Sequence, residues 1–168
     1  MIQEDMMRTE IFECKKYNDL AEGDIFVYCR EKNYEHGIKI HDGKVVMLSG
    51  KNAFVPIDNL HVIGGYPVLG LRNQYFIAPN LSDNTQQEPT YGSLMLTEAG
   101  VYLCVEGDIR LRQTLYLSFQ DFQIDRNFKP SYDEVIFVPK WSIKIDLETE
   151  AKTIIEIPIA NDAEGADK

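Results

Sequence analysis

The stretch that decides the fold lies between Asp19 and Tyr66, and its clearest part is two apolar segments around a tight turn: Gly37-Ile38-Lys39-Ile40-His41, Asp42-Gly43, and Lys44-Val45-Val46-Met47-Leu48. An Asp-Gly pair tolerates the positive φ angles of a type I′ turn, so this stretch predicts a β-hairpin. The preceding segment is apolar at every position, which predicts a strand buried on both faces: Ile25-Phe26-Val27-Tyr28-Cys29.

Two further strands are predicted after the hairpin. Pro56 has no amide hydrogen, so the segment 53–57 fits only an edge or bulged strand. The segment 60–63, Leu-His-Val-Ile, is the last predicted strand of this region. About five short strands within some fifty residues are typical of a small β-barrel, which we assign to residues 17–66.

The composition favours strands along the whole chain. Of its 168 residues 44% are apolar, and these are mainly Val, Ile, Leu, Tyr and Phe, with few Ala. Residues 1–16 are interpreted as an N-terminal arm, either a strand or an extended segment, and 161–168 as a flexible acidic tail. Flexible glycines before Pro67 place a boundary at 64–67, so residues 67–160 are expected to form a second antiparallel β lobe, a meander or sandwich.

The second lobe is predicted to consist of hairpins. The segments 93–96 and 101–105 flank one turn, residues 109–111 are expected to be a strand, and the final hairpin pairs 141–147 with 152–159. In that last pair Ile143, Ile145 and Leu147 alternate with Lys144 and Asp146. Such alternation is typical of an antiparallel sheet with one wet face.

Charge and cysteine content limit the function classes. The net charge is −10, but residues 146–168 hold seven Asp or Glu against two Lys or Arg, so half of the excess lies near the C-terminus. Because no basic cluster is interleaved with aromatic residues, direct nucleic-acid binding is not expected. Cys14, Cys29 and Cys104 are odd in number and widely spaced, which favours free thiols in a reducing compartment. No apolar run is long enough for a membrane span, so a cytoplasmic protein is expected.

Residues 19–63 resemble small SH3-like β-barrel domains of bacterial and phage proteins. The resemblance rests on an opening Asp-Leu-x-x-Gly-Asp-x-Phe, a Tyr-x-x-x-Ile-Lys-Ile strand, a Val-Val-x-Leu return and a closing Asp-x-x-x-Val. The matching residues are Asp19, Leu20, Gly23, Asp24, Phe26, Tyr34, Ile38, Lys39, Ile40, Val45, Val46, Leu48, Asp58 and Val62. It implies architecture alone, since small barrels have many functions. A phage origin would place the protein in the host cytoplasm or the virion.

A second resemblance would make the protein an enzyme. Gly23-Asp24-Ile25 with the hairpin that begins at His36 is similar to the core of papain-like amidases of the NlpC and lecithin-retinol-acyltransferase type. That resemblance implies a cysteine nucleophile assisted by His36, here Cys104 or Cys29. The sequence departs from the family pattern, because Met47 stands where a polar residue is expected and no cysteine begins a helix. Cys29, His36, His41 and His61 are residue types that bind metals, but their spacings fit no zinc template.

The expected function is a non-catalytic protein-interaction or structural module, such as a phage structural component or an inhibitor of a host enzyme. The alternatives are the thiol amidase and a small-ligand-binding barrel. A protein partner is expected, homo-oligomers through sheet edges are compatible with the fold class, and no cofactor or metal is predicted. The candidate binding residues are four aromatics and two arginines of the second lobe: Tyr75, Phe76, Tyr91, Tyr102, Arg110 and Arg112.

Overall fold

The computed structural model describes residues 11–30, 32–57, 67–82, 88–108 and 110–158. Over these ranges the regular structure consists of antiparallel strands and three short 3-10 turns, which confirms the all-β prediction. The chain divides into two compact units, Met1–Gln74 and Tyr75–Lys168. Among the described residues no helix has the length and apolar character that crossing a membrane requires.

The first unit contains a six-stranded sheet in the order β1-β6-β2-β3-β4-β5. Its strands are β1 (Phe12–Lys16), β2 (Ile25–Arg30), β3 (Asn33–Lys39), β4 (Val45–Met47), β5 (Pro56–Ile57) and β6 (Pro67–Leu71). The 3-10 turns Tyr17–Asp19 and His41–Gly43 follow β1 and β3. The short strand β5 lies at one edge, as Pro56 predicted.

β2 is an inner strand of this sheet, and its successive residues Ile25, Phe26 and Val27 are all buried. Because neighbouring side chains of a strand point to opposite faces, the sheet is covered on both sides at β2, as the apolar run predicted. Phe26 packs edge-on against Tyr17, with ring centroids 5.5 Å apart. The other buried members of this cluster are Leu20, Val45, Met47 and Val68.

The predicted hairpin is confirmed between β3 and β4. Lys39 lies opposite Val45, and both residues of the turn adopt positive φ angles, 62° at Asp42 and 69° at Gly43. Gly43 adopts this backbone region without a steric cost, and Asp is among the residues that tolerate it. The local turn chemistry therefore fixes the register of the two strands.

The sheet of the first unit is open, and no barrel is closed over the described residues. β6 pairs with both β1 and β2, which leaves β1 and β5 as two separate edges. The last five residues of the predicted arm, Phe12–Lys16, are thus an edge strand. The two units divide after Gln74, whereas the boundary was expected at 64–67. The strand predicted at 60–63 and the acidic tail at 161–168 lie outside the described residues.

The second unit contains two sheets. One has four strands in the order β10-β9-β8-β11, and the other has three in the order β13-β12-β7. The strands are β7 (Tyr75–Pro79), β8 (Leu94–Thr97), β9 (Gly100–Glu106), β10 (Thr114–Ser118), β11 (Ile136–Val138), β12 (Trp141–Asp146) and β13 (Ala151–Ile157). A 3-10 turn, Tyr132–Glu134, precedes β11. The predicted hairpins at β8–β9 and β12–β13 are confirmed.

The three-stranded sheet has one buried and one accessible face. Trp141, Ile143 and Ile145 of β12 are buried on the first face, whereas Lys144 between them is only half-buried. A register shift between Ile143 and Lys144 marks a bulge in the β12–β13 ladder. The alternation along β12 therefore predicted the two faces of this sheet correctly.

Candidate functional site

His36, the proposed amidase histidine, lies in β3 and is 6% exposed. Its backbone N–H donates to the Ser49 Oγ at 2.8 Å, but its ring Nδ1 is buried without a hydrogen-bond partner. Burial lowers the pKa of His36 to about 4, so the ring is neutral at physiological pH. A buried ring with a lowered pKa binds a proton weakly, which makes it a weak general base.

Cys104, the first candidate nucleophile, lies in β9 opposite Tyr116 and is fully buried. Burial raises the pKa of its thiol to about 11, and a hydrogen bond with Ser93 opposes the shift. The thiolate, the form that attacks a carbonyl, is therefore scarce. Cys104 belongs to the second unit, whereas His36 belongs to the first.

Cys29, the second candidate nucleophile, lies on the same face of the β2–β3 pair as His36. Val27 lies opposite His36 and Cys29 opposite Tyr34, so Cys29 and His36 are diagonal neighbours. Residues in this relation are typically about 7–8 Å apart along the sheet. Among the described residues no cysteine thiol forms a hydrogen bond with the His36 Nδ1.

In the described part of the chain the candidate metal ligands Cys29, His36 and His41 do not form a cluster. His41 is exposed, with its Nδ1 3.2 Å from Glu22 and its Nε2 3.3 Å from Asp42. The described ranges contain no group of three or more His, Cys, Asp or Glu side chains arranged to hold a metal ion. His61 lies outside those ranges.

The four candidate aromatic residues do not lie in one patch. Tyr75 and Phe76 are consecutive in β7 and point to opposite faces of the three-stranded sheet, where Phe76 is 39% exposed. Tyr102 stacks on Phe128 in the four-stranded sheet, with centroids 5.1 Å apart. Tyr91 is exposed in the turn before β8.

The strand predicted at 109–111 is wrong at residues 110 and 111, and residue 109 lies outside the described ranges. Residues 110–112 form the turn between β9 and β10, with Arg112 at φ 48°. Asp108 directs the chain here, since its carboxylate accepts the Arg110 N–H at 2.8 Å and its carbonyl accepts the Leu111 N–H at 3.1 Å. An Asp side chain that binds the backbone two residues later is a common turn device and competes with strand pairing. Both arginines are exposed at this tip.

A groove lies on the accessible face of the three-stranded sheet, with a volume of about 480 Å³. Its lining comes from all three strands and the residues next to their ends: Ala78, Pro79, Asn80, Lys140, Trp141, Ser142, Lys144, Glu156, Ile157 and Pro158. The registers place Ala78, Ser142 and Glu156 in one row across the sheet, and Phe76 opposite Lys144 in the next row along β7 and β12. We refer to this site as the sheet groove.

The sheet groove has polar side chains among apolar ones. Ser142 is only 9% exposed, and its hydroxyl forms no hydrogen bond with the described residues. Lys144 and Glu156, at the sides, form no ion pair within the same ranges. A hydroxyl, an ammonium and a carboxylate are thus available to a bound molecule next to the exposed ring of Phe76.

None of the lining residues was predicted as a binding residue from the sequence; the predicted residue Phe76 lies beside the groove, opposite Lys144. Lys144 lies in the alternating pattern of β12, which predicted a wet face, and Ser142 occupies the same face two residues earlier. Ala78 and Glu156 come from separate parts of the chain, so only the strand pairing brings them together. No family model, curated protein or solved structure matches the chain.

Proposed function

We propose that the protein is a non-catalytic protein-binding module that holds an extended segment of a partner protein in the sheet groove. The observation that carries this proposal is the position of the exposed Phe76 directly opposite Lys144 in one cross-strand row beside the groove. Aromatic side chains are enriched in protein contact surfaces, and a lysine beside one favours a partner of opposite charge.

The lining of the groove suggests the chemistry of the bound segment. An apolar side chain would pack on Phe76 and Ala78, and a neighbouring carboxylate would pair with Lys144. The Ser142 hydroxyl beneath them can donate to a backbone carbonyl or accept from a backbone N–H of that segment. The groove thus fits an extended peptide with adjacent apolar and acidic residues.

The surroundings of the thiols also support a non-catalytic role. Cys104 is buried with a raised pKa, and the orphan Nδ1 of His36 has no thiol within hydrogen-bond reach among the described residues. A phage structural component and an inhibitor of a host enzyme would both act through such a binding surface.

The proposal is tested by selecting random peptides displayed on phage against the immobilised full chain. Enriched peptides should carry an acidic residue next to an apolar one, and their affinity should fall at least tenfold in Phe76→Ala and Lys144→Glu. Tyr34→Ala and Lys129→Glu are matched controls, since Tyr34 is 40% exposed in the first unit and Lys129 is exposed outside the groove. The proposal is overturned if the enriched peptides bind Phe76→Ala and Lys144→Glu as tightly as the unaltered protein.

A further inference from the structure

The strand β1 leaves one edge of the six-stranded sheet without a neighbour among the described residues. It pairs with β6 alone, in a register that places Phe12 opposite Leu71, Cys14 opposite Leu69 and Lys16 opposite Pro67. An open edge exposes backbone N–H and C=O groups that can pair with a strand of another chain. This edge therefore needs a protecting feature or a partner.

The alternation of hydrogen-bonded and non-bonded pairs between β1 and β6 shows which backbone groups of β1 point away from β6. The Arg72 N–H donates to the Ile11 carbonyl at 2.8 Å, and in an antiparallel ladder bonded and non-bonded pairs alternate. Glu13 and Lys15 therefore bond to β6, whereas the N–H and C=O groups of three residues point away from it: Phe12, Cys14 and Lys16. Phe12 and Cys14 have no other hydrogen bond to the part of the chain described, whereas Lys16 leads directly into the 3-10 turn Tyr17–Asp19.

The side chains of β1 are complementary to those of a second copy. If two β1 strands run antiparallel about a two-fold axis at Cys14, Glu13 of each copy lies opposite Lys15 of the other. Glu13 and Lys15 share one face of the sheet and already form an ion pair within the strand, with 2.7 Å between Lys15 Nζ and Glu13 Oε1. Moving the axis to Glu13 or to Lys15 would place like charges directly opposite each other, which is unfavourable.

The same register satisfies the outward backbone groups. Cys14 lies opposite Cys14, and Phe12 opposite Lys16, so every outward-pointing residue meets an outward-pointing residue of the second copy. Each such pair exchanges two N–H···O=C bonds. The Cys14 thiol is exposed on the face opposite Glu13 and Lys15.

We propose that two copies of this chain associate through their β1 strands, antiparallel and in the register that places Cys14 against Cys14. A five-residue strand buries less surface than a tight dimer requires, so the association is weak and concentration-dependent. Opposite Cα atoms in a hydrogen-bonded pair lie about 5.5 Å apart, within the range that a disulfide spans. An oxidant can therefore trap the dimer through Cys14.

The first test uses diamide, which oxidises two adjacent thiols to a disulfide, on the full chain at several concentrations. Non-reducing electrophoresis and mass spectrometry should show a Cys14–Cys14 linked dimer in the unaltered protein and in Cys29→Ser, and its loss in Cys14→Ser. Cys29 is the matched control because its thiol is also exposed. Equal yields of the linked dimer in Cys14→Ser and the unaltered protein overturn the proposal.

The second test uses charge reversal in reducing buffer, with the monomer–dimer equilibrium measured by sedimentation. Lys15→Glu should weaken association at least fivefold, because it places Glu13 opposite a second carboxylate. The double exchange Glu13→Lys with Lys15→Glu restores opposite charges in the pair and should recover most of the loss, while circular dichroism confirms that both variants are folded. A folded double variant that associates no better than Lys15→Glu overturns the register, and a monomeric unaltered protein at all concentrations overturns the dimer.

Discussion

The ring of Phe26 lies against the backbone of Gly37, its direct partner across the β2–β3 ladder. A methyl group added at Gly37 would lie 2.6 Å from the Phe26 Cζ and 3.0 Å from the Met47 Sδ. Phe26 has no exposed surface, so the ring cannot move aside without disturbing the core of the first unit. The absence of a side chain at Gly37 is thus a packing requirement.

Gly37→Ala should therefore lower the free energy of unfolding by about 1–3 kcal/mol, as overpacking of a buried site does. The measurement is urea unfolding followed by circular dichroism. In Phe26→Leu the ring is gone, so adding Gly37→Ala to that variant should cost clearly less than it does alone. Equal costs in the two backgrounds would show that the ring does not limit the space at Gly37.

The sequence predicted those parts of the fold that local chemistry determines. The Asp42-Gly43 turn and the apolar run of β2 carry their own signals, because positive φ and two-sided burial each select particular residues at particular positions. The insertion of β6 between β1 and β2 has no such signal, since it joins residues more than forty positions apart. The predicted barrel consequently proved to be an open sheet over the described residues.

The sheet groove was predictable only in part, for a similar reason. Alternation in β12 indicated that Lys144 lies on a wet face, but the sequence does not indicate that Ala78 and Glu156 flank Ser142. The turn at Arg110 was not predicted, because it depends on the Asp108 carboxylate, which accepts the Arg110 N–H and has no distinctive signal in the sequence. The hydrogen bond between the Arg110 N–H and the Asp108 carboxylate stabilises a turn at a place where the short apolar pattern predicted a strand.

His36 should make the protein sensitive to acid. The pKa of its ring is lowered from 6.5 to about 4 in the folded protein, so the unfolded chain binds the proton more tightly. This contribution to stability is complete above about pH 6.5, falls as the pH drops toward 4, and amounts to about 3 kcal/mol in total.

Urea unfolding between pH 4 and 8 measures this effect. His36→Leu should flatten the acid limb of the stability profile, because it removes the titrating ring and its Nδ1 forms no hydrogen bond that would be lost. His41→Gln is the control: His41 is exposed beside Glu22 and Asp42, and its replacement should leave most of the acid loss in place. An unchanged profile in His36→Leu would refute the assignment to this ring.

The three cysteines should differ in reactivity. Cys14 and Cys29 are exposed and Cys104 is buried, and the raised pKa of Cys104 further reduces its thiolate. Iodoacetamide at pH 8 should therefore modify Cys14 and Cys29 in the native protein and reach Cys104 at least a hundredfold more slowly, with the difference abolished in urea. Mass spectrometry of the digested protein reports each site, and rapid native labelling of Cys104 would contradict the structure.

Trp141 is the single tryptophan, and it connects the two sheets of the second unit. Its indole N–H donates to the Gly92 carbonyl at 2.7 Å, and its ring lies edge-on to Phe119 at 6.1 Å. Trp141→Phe retains an aromatic ring but leaves the Gly92 carbonyl without that donor, which should cost about 1–3 kcal/mol of unfolding free energy. Tyr91→Phe, which removes a hydroxyl from an exposed ring, should change the stability by less than about 0.5 kcal/mol. If both variants unfold at the same urea concentration as the unaltered protein, the Trp141–Gly92 bond contributes nothing to the second unit.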